Sequence, residues 1–374
     1  MKRSAARQDP QERTQRAPRW TARATQALTD ASSQIRVIAS NTPTNLREEL
    51  DRLHASWRCA PEIPRFSYSA APDHTTLRSA LLGLADELDG LGELGSIYAG
   101  RARELEIEAA ICEHAGGPGL WAAARIRYAL RDGFEAVADA TATKWLDEAG
   151  PRATRGAMSR SDDEHDPTSL VSRLRQELGR RRLPLRVLVS KNLASLAATG
   201  EGFVQVVAER ALSKSDVERT VLHEIEGHVL PRHASSSAAI GIFTLGTARG
   251  SDDQEGRALS RERAAGFLDH GRRREIALRH QAARSVGAGA DFVATARLLL
   301  DHGAALVDAL RIAARDDRGG GLAREAVYLP ALLRVEAALA VESALDDVLG
   351  AGRVSVDAAS ALRGWVARPS DERA

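Results

Sequence analysis

The chain has 374 residues, 43% of them hydrophobic, enough to bury a substantial core and too many for a small stapled module. Its net charge is +1, with 28% charged residues nearly balanced in sign, which excludes a global field that would draw nucleic acid or an anionic membrane. Two cysteines, Cys59 and Cys112, form neither a disulfide framework nor a cysteine metal cluster, and both read as buried small apolar residues in a reducing, cytoplasmic compartment.

Residues 1–30 are polar and basic, with seven cationic residues from Lys2 to Arg23 opposed by Asp9, Glu12 and Asp30, and are expected to be a disordered tail. Residues 31–150 are expected to form a helical N-terminal subdomain. The run from Thr42 to Leu50 carries the marks of a capped helix start, and Pro61 and Pro64 impose an extended segment whose Phe66 and Tyr68 should pack on the main body. Leu77, Leu81, Leu82, Leu84 and Leu88 predict one helix and Ile97 to Ile111 another; Gly116-Gly117-Pro118-Gly119 breaks the pattern before a helix from Leu120. The polar stretch from Gly150 to Asp166 reads as a mobile boundary loop.

Residues 167–370 are expected to form the second domain. A short helix ends near Arg182, and strands follow at Leu185–Val189 and Gly200–Val207. Ser213 and Ser215 before Asp216 signal a helix start, and Pro231 is expected to end that helix. The apolar run Ile240–Leu245 is expected to pass beneath the site, and the remainder is helical to Leu349 with a break at Arg318-Gly319-Gly320-Gly321. No stretch reaches the roughly 18 apolar residues of a membrane span.

The stretch that carries chemistry is Val221-Leu222-His223-Glu224-Ile225-Glu226-Gly227-His228. Two imidazoles with a carboxylate directly after the first are the elements of a zincin site, in which the histidines hold zinc and the glutamate is the general base. The usual spacing places the histidines four apart. Here they are five apart, about 140° around an ideal helix instead of about 40°, so both reach one ion only where the helix widens or ends, most cheaply at Gly227. A third ligand must come from elsewhere: Glu255, Glu262, Asp252, Asp253 and His233 are in range, with Glu255 favoured by residue type and distance. The expected architecture is α+β, mostly helical and zincin-like of the gluzincin type, with a small mixed sheet beside the metal helix. Its Phe203–Val207 strand, through Phe203 and Val204, is the candidate to hold extended substrate.

His223-Glu224-Ile225 with His228, Gln254-Glu255-Gly256-x-Ala258, and Arg318-Gly319-Gly320 followed by Val327-Tyr328-Leu329 together resemble the tyrosine carboxypeptidase family, whose bacterial members are labelled flavohaemoglobin-expression-modulating proteins with a Gln-Glu-Gly-Leu-Ala motif. The resemblance implies a zinc metallopeptidase that removes a C-terminal residue from a peptide or protein, tyrosine of tubulin in animal members. It implies His223, His228 and Glu255 as Zn2+ ligands and Glu224 as catalytic base. Arg257 stands for the motif leucine, Glu226-Gly227 for a Gly-Thr pair, and Arg324-Glu325 for Lys-Asp. Tyr328 is then a candidate oxyanion donor, and Arg318 and Arg324 candidates to bind a substrate carboxylate. The reading from a different class is a non-catalytic regulatory or binding protein that keeps the fold; intact Glu224 and a set of three ligands argue against it.

Overall fold

The computed structural model describes residues 17–129, 133–148, 157–191, 193 and 195–366. It is a mostly helical α+β structure with two small sheets. The helix Arg19–Gln34 begins inside the stretch expected to be a tail, which corrects that expectation from residue 19 onward; residues 1–16 lie outside the described residues. Its buried residues Thr21, Ala24, Leu28 and Ala31 recur at helical spacing, while the arginines occupy its other faces. Burying Leu28 alone contributes roughly 1.5–3 kcal/mol, and Trp20 stacks edge-on against Tyr98 at 5.3 Å.

The predicted helices at Thr75–Asp89, Gly92–Glu113 and Leu120–Tyr128 are present. The helix Leu46–Ser56 forms too, but Asn45 does not cap it. The Asn45 amide instead donates to the Arg65 carbonyl and accepts from the Ser67 amide, both at 2.9 Å, and so grips the extended segment. Phe66 packs edge-on against Phe292, and the Tyr68 hydroxyl accepts from the Gly319 amide at 2.8 Å. The stretch read as a boundary loop contains a strand, β1 (Met158–Arg160), paired antiparallel with β5 (Ala211–Ser213); residues 149–156 lie outside the described residues. Cys112 is buried as expected, whereas Cys59 is exposed.

Hydrophobic clusters run across the expected division. One joins Leu28, Leu81, Tyr98 and Leu105 to Phe243, Val335 and Leu362, and another joins Ile111, Leu120 and Trp145 to Leu259, Tyr328 and Leu332. The Ile240–Leu245 run belongs to the first of these, so it packs on the N-terminal helices and none of its residues lines the cleft described below.

A third cluster is local, built from residues 170–230 alone. It packs the helix Leu170–Arg180 and a three-stranded sheet against Val217, Val221, Ile225 and Val229, an apolar ridge at intervals of four along the histidine helix. In that sheet β4 (Phe203–Val207) is central, parallel to β2 (Arg186–Ser190) and antiparallel to β3 (Ala197–Thr199). This corrects the expectation that β4 holds substrate. A central strand spends its backbone groups on both neighbours. Val204 is fully buried in the local core, and the Phe203 ring lies over Gly200. The strand edge at the cleft belongs to β3, too short and alanine-rich to stand out in the sequence.

Candidate functional site

The histidine helix starts as the sequence predicts. Ser213 caps it, its hydroxyl accepting from the Asp216 amide at 3.1 Å while the Asp216 carboxylate reaches back to the Ser213 amide. Lys214–Leu222 is α-helical, His223–Val229 is a π-helix, and Leu230–Ser235 is α-helical again. The widening expected around Glu226-Gly227 is therefore present, and in an i→i+5 helix residues five apart share a face. Pro231 does not end the helix as predicted. A proline inside an α-helix lacks an amide and presses its ring on the carbonyl four residues back; the widened turn before it relieves that crowding, and the helix runs on to Ser235. Gly227 is needed for a steric reason as well. A Cβ there would stand 2.5 Å from the Ala258 Cβ, so the widened turn lies directly on the helix Gly250–Ala264, which carries Glu255.

Three donor atoms converge on that contact. His223 Nε2 and His228 Nε2 are 3.3 Å apart, and Glu255 Oε2 lies 3.4 Å from the first and 3.6 Å from the second. They are the only group of three metal-ligating side chains found close together among the described residues. A tetrahedral ion with bonds of about 2.0–2.1 Å needs donors about 3.3–3.4 Å apart, so the triangle fits zinc. Both imidazoles are oriented from behind: His223 Nδ1 donates to Glu262 Oε1 at 2.7 Å, and His228 Nδ1 to Gln254 Oε1 at 3.1 Å. With both Nδ1 atoms protonated, the Nε2 lone pairs face each other and the carboxylate, an arrangement that calls for a cation or a proton between them.

The other carboxylates in range by sequence have different work. Glu262, two turns beyond Glu255, is fully buried and held by Arg272 at 2.9 and 3.0 Å. Burial raises its pKa, but Arg272 and His223 outweigh this and hold it at about 2. Asp252 is clamped by Arg127 at 2.8 and 3.2 Å, Asp253 accepts from Arg334 and from the Val356 amide, and His233 is exposed. Asp252 and Asp253 thus fasten the Glu255 helix to the helices on either side. Among these side chains alone, burial disfavours charge on His223, yet Glu255 and Glu262 push its pKa up to about 10; burial also disfavours charge on Glu255, but the imidazoles keep it well below the usual carboxylate range.

Glu224 is buried, and Thr199 on β3 donates to its Oε2 at 2.8 Å. Nothing in the sequence marks Thr199, because the contact spans 25 residues through the sheet. Tyr328 is nearly buried; Arg324 donates to its hydroxyl at 3.2 Å and Arg279 lies over its ring at 4.5 Å. Its hydroxyl proton is thus free to donate elsewhere. Burial, with help from Glu255, raises the Tyr328 pKa. Arg324 also stands 3.7 Å from Glu255 Oε1.

Arg318 ends a helix, after which Gly319 and Gly320 turn at φ 71° and 98°. A Cβ on Gly319 would meet Asn41 Oδ1 at 2.1 Å, so this turn admits only glycine. Arg318 is buried, and the nearest carboxylate, Glu325, is 3.9 Å away and already engaged by Arg279 and by Arg315 at 2.7 Å. Burial and the neighbouring Arg315 lower the Arg318 pKa to about 10.

His223, Glu224, His228, Glu255, Arg318, Arg324 and Tyr328 line one cleft of about 870 Å³, and Phe203 and Val204 do not. Ten arginines face it against six carboxylates, Glu209, Asp216, Glu224, Glu255, Glu262 and Glu275. Glu325 and Asp308, just outside the lining, pair with Arg279, Arg315 and Arg311, and the arginines that remain in excess favour an anionic ligand. Glu226 points away from it and pairs with Arg181 at 2.5 Å.

Two histidines on a widened helix meet a carboxylate from the helix packed against it, beside a buried glutamate and an arginine-lined cleft, and these are the furnishings of a hydrolase centre on a mostly helical α+β scaffold. The family model described as microtubule-associated tyrosine carboxypeptidase matches residues 56–369, and the chain belongs to that family. Its activity class is accordingly that of a carboxypeptidase acting on a peptide or protein. No curated protein matches the chain. No helix among the described residues is long and apolar enough to cross a membrane.

Proposed function

We propose that the protein is a zinc-dependent carboxypeptidase that removes a C-terminal residue, tyrosine being the first side chain to test, with Glu224 as general base. The observation that carries this reading is the donor triangle of His223, His228 and Glu255, with edges of 3.3–3.6 Å and both imidazoles held by their Nδ1 atoms. Zinc held there would lower the pKa of water towards neutrality and polarise the scissile carbonyl. Glu224 takes the proton of the attacking water and hands it to the departing amine. Tyr328, its oxygen already accepting from Arg324, donates its proton to the developing oxyanion. Arg318 is the least neutralised guanidinium around Glu325 and binds the substrate's terminal carboxylate, with Arg324 adding positive charge nearer the ligands. The edge of β3, in place of β4, pairs with the extended backbone of the substrate.

The test is a library of peptides varied at the C-terminus, incubated with the protein with and without a chelator. Chelator-sensitive loss of one C-terminal residue is expected. Internal cleavage would redirect the reading to an endopeptidase, and an unchanged library would remove catalysis from it.

Thr199→Val removes the hydrogen bond to Glu224. A bond to a charged group contributes about 1.5–3 kcal/mol, so turnover should fall about tenfold or more with zinc content unchanged. Thr199→Ser should restore most of it, which measurement of kcat and metal content on the two variants checks.

A further inference from the structure

Arg257 is the residue that interrupts the family motif, and the chemistry above leaves it without a role. It lies on the Glu255 helix, 8% exposed, and its Nη1 donates at 3.1 Å to the backbone carbonyl of Glu226, inside the widened turn. That carbonyl needs an outside donor. Within the turn the bonding has shifted to i→i+5: the Leu230 amide donates to the Ile225 carbonyl. The next amide in this pattern, which would serve Glu226, belongs to residue 231, a proline without an N–H. A helical carbonyl left unpaired and buried is costly, and π-turns persist where the freed groups find partners. Arg257 is itself fixed from the other side, its Nε donating to Asp346 Oδ1 at 2.8 Å and its Nη2 to Oδ2 at 3.4 Å. Arg261, one turn on, reaches the same carboxylate, and no hydrogen bond from it to the widened turn is found among the described residues.

We propose that Arg257 is a positioning residue for the ion site: it serves the carbonyl that Pro231 cannot, and so holds the widened turn that brings His228 onto the same face as His223. Because it stands two residues after Glu255, it also ties the turn between the two histidines to the helix that supplies the carboxylate. A leucine here would fill the same space and leave the Glu226 carbonyl to find another donor. The role rests on the proposed zinc site for its functional meaning, but its structural content is testable without metal.

The experiment compares Arg257→Leu, Arg257→Lys and Arg261→Leu with the wild-type full chain in two measurements. One is amide hydrogen exchange over residues 223–230 in metal-free protein; the other is zinc affinity by competition with a chromophoric chelator. Arg257→Leu is expected to speed exchange in that segment selectively and to weaken zinc binding about 10–100-fold, as for loss of other partners behind metal ligands. Arg257→Lys should fall between it and wild type, and Arg261→Leu, which loses only the Asp346 contact, should match wild type in both. Should Arg257→Leu not fold, Arg257→Lys must still exchange faster over 223–230 than Arg261→Leu. Equal exchange in Arg257 and Arg261 variants overturns the role. A wild type that binds no zinc, with exchange still dependent on Arg257, removes the metal reading and leaves the role in holding the turn.

Discussion

Glu224→Gln is expected to lower hydrolysis of a peptide ending in tyrosine by about 10²–10⁴-fold, the usual contribution of a positioned general base, while the protein keeps its zinc. The substitution is chosen for what it preserves. Glutamine has the same length and keeps a carbonyl oxygen to accept from Thr199, so the 2.8 Å contact with β3 survives and the buried side chain stays satisfied. What is lost is the carboxylate's charge and with it the ability to take a proton. Turnover and metal content measured on one preparation check the result: activity near wild type would remove Glu224 from the mechanism, and loss of zinc would mean that the variant disturbed His223 next to it.

The second large effect concerns the ion. Purified protein should carry about one zinc per chain, as a single catalytic site requires, and the double variant His223→Ala/His228→Ala should carry almost none. The fold should survive the change. Glu262 keeps both hydrogen bonds to Arg272, and Val217, Val221, Ile225 and Val229 remain in the local core. Elemental analysis with a thermal melt of the metal-free proteins separates the two properties. Full zinc content in a folded double variant would place the metal elsewhere and end the assignment.

Much of this site was legible because its logic is local. Histidines five apart demand a helix that widens or ends if both face one ion, and the structure has a π-helix at that place. Ser213 and Ser215 before Asp216 announced the helix start, where the structure has a capping box between Ser213 and Asp216. What the sequence concealed depends on contacts across the chain. Thr199 and Glu224 meet only because β3 pairs with β4 and lies against the histidine helix. Glu255 and Glu262 occupy one helix seven residues apart, and only packing assigns one to the Nε2 side of His223 and the other to Nδ1. Pro231 misled for a physical reason: a proline ends an α-helix by its missing amide and its bulk, and here the π-turn relieves the bulk while Arg257 donates to the carbonyl that the missing amide leaves. The helix Arg19–Gln34 misled through composition, since its arginines outweigh the sparse Ala24, Leu28 and Ala31 face that docks it.

The local cluster of residues 170–230 has a bearing on how the molecule assembles. Its contacts are short in sequence, so this segment can collapse early, before the helices at the two ends of the chain have found each other. It would bring His223, Glu224, His228 and Thr199 into register as a preformed half-site. Glu255, Arg318, Arg324 and Tyr328 belong to later elements whose docking must close much longer loops. The seam between an early and a late cooperative unit thus runs through the cleft itself, and an ion bound by both sides would hold the two units together as well as equip them for chemistry.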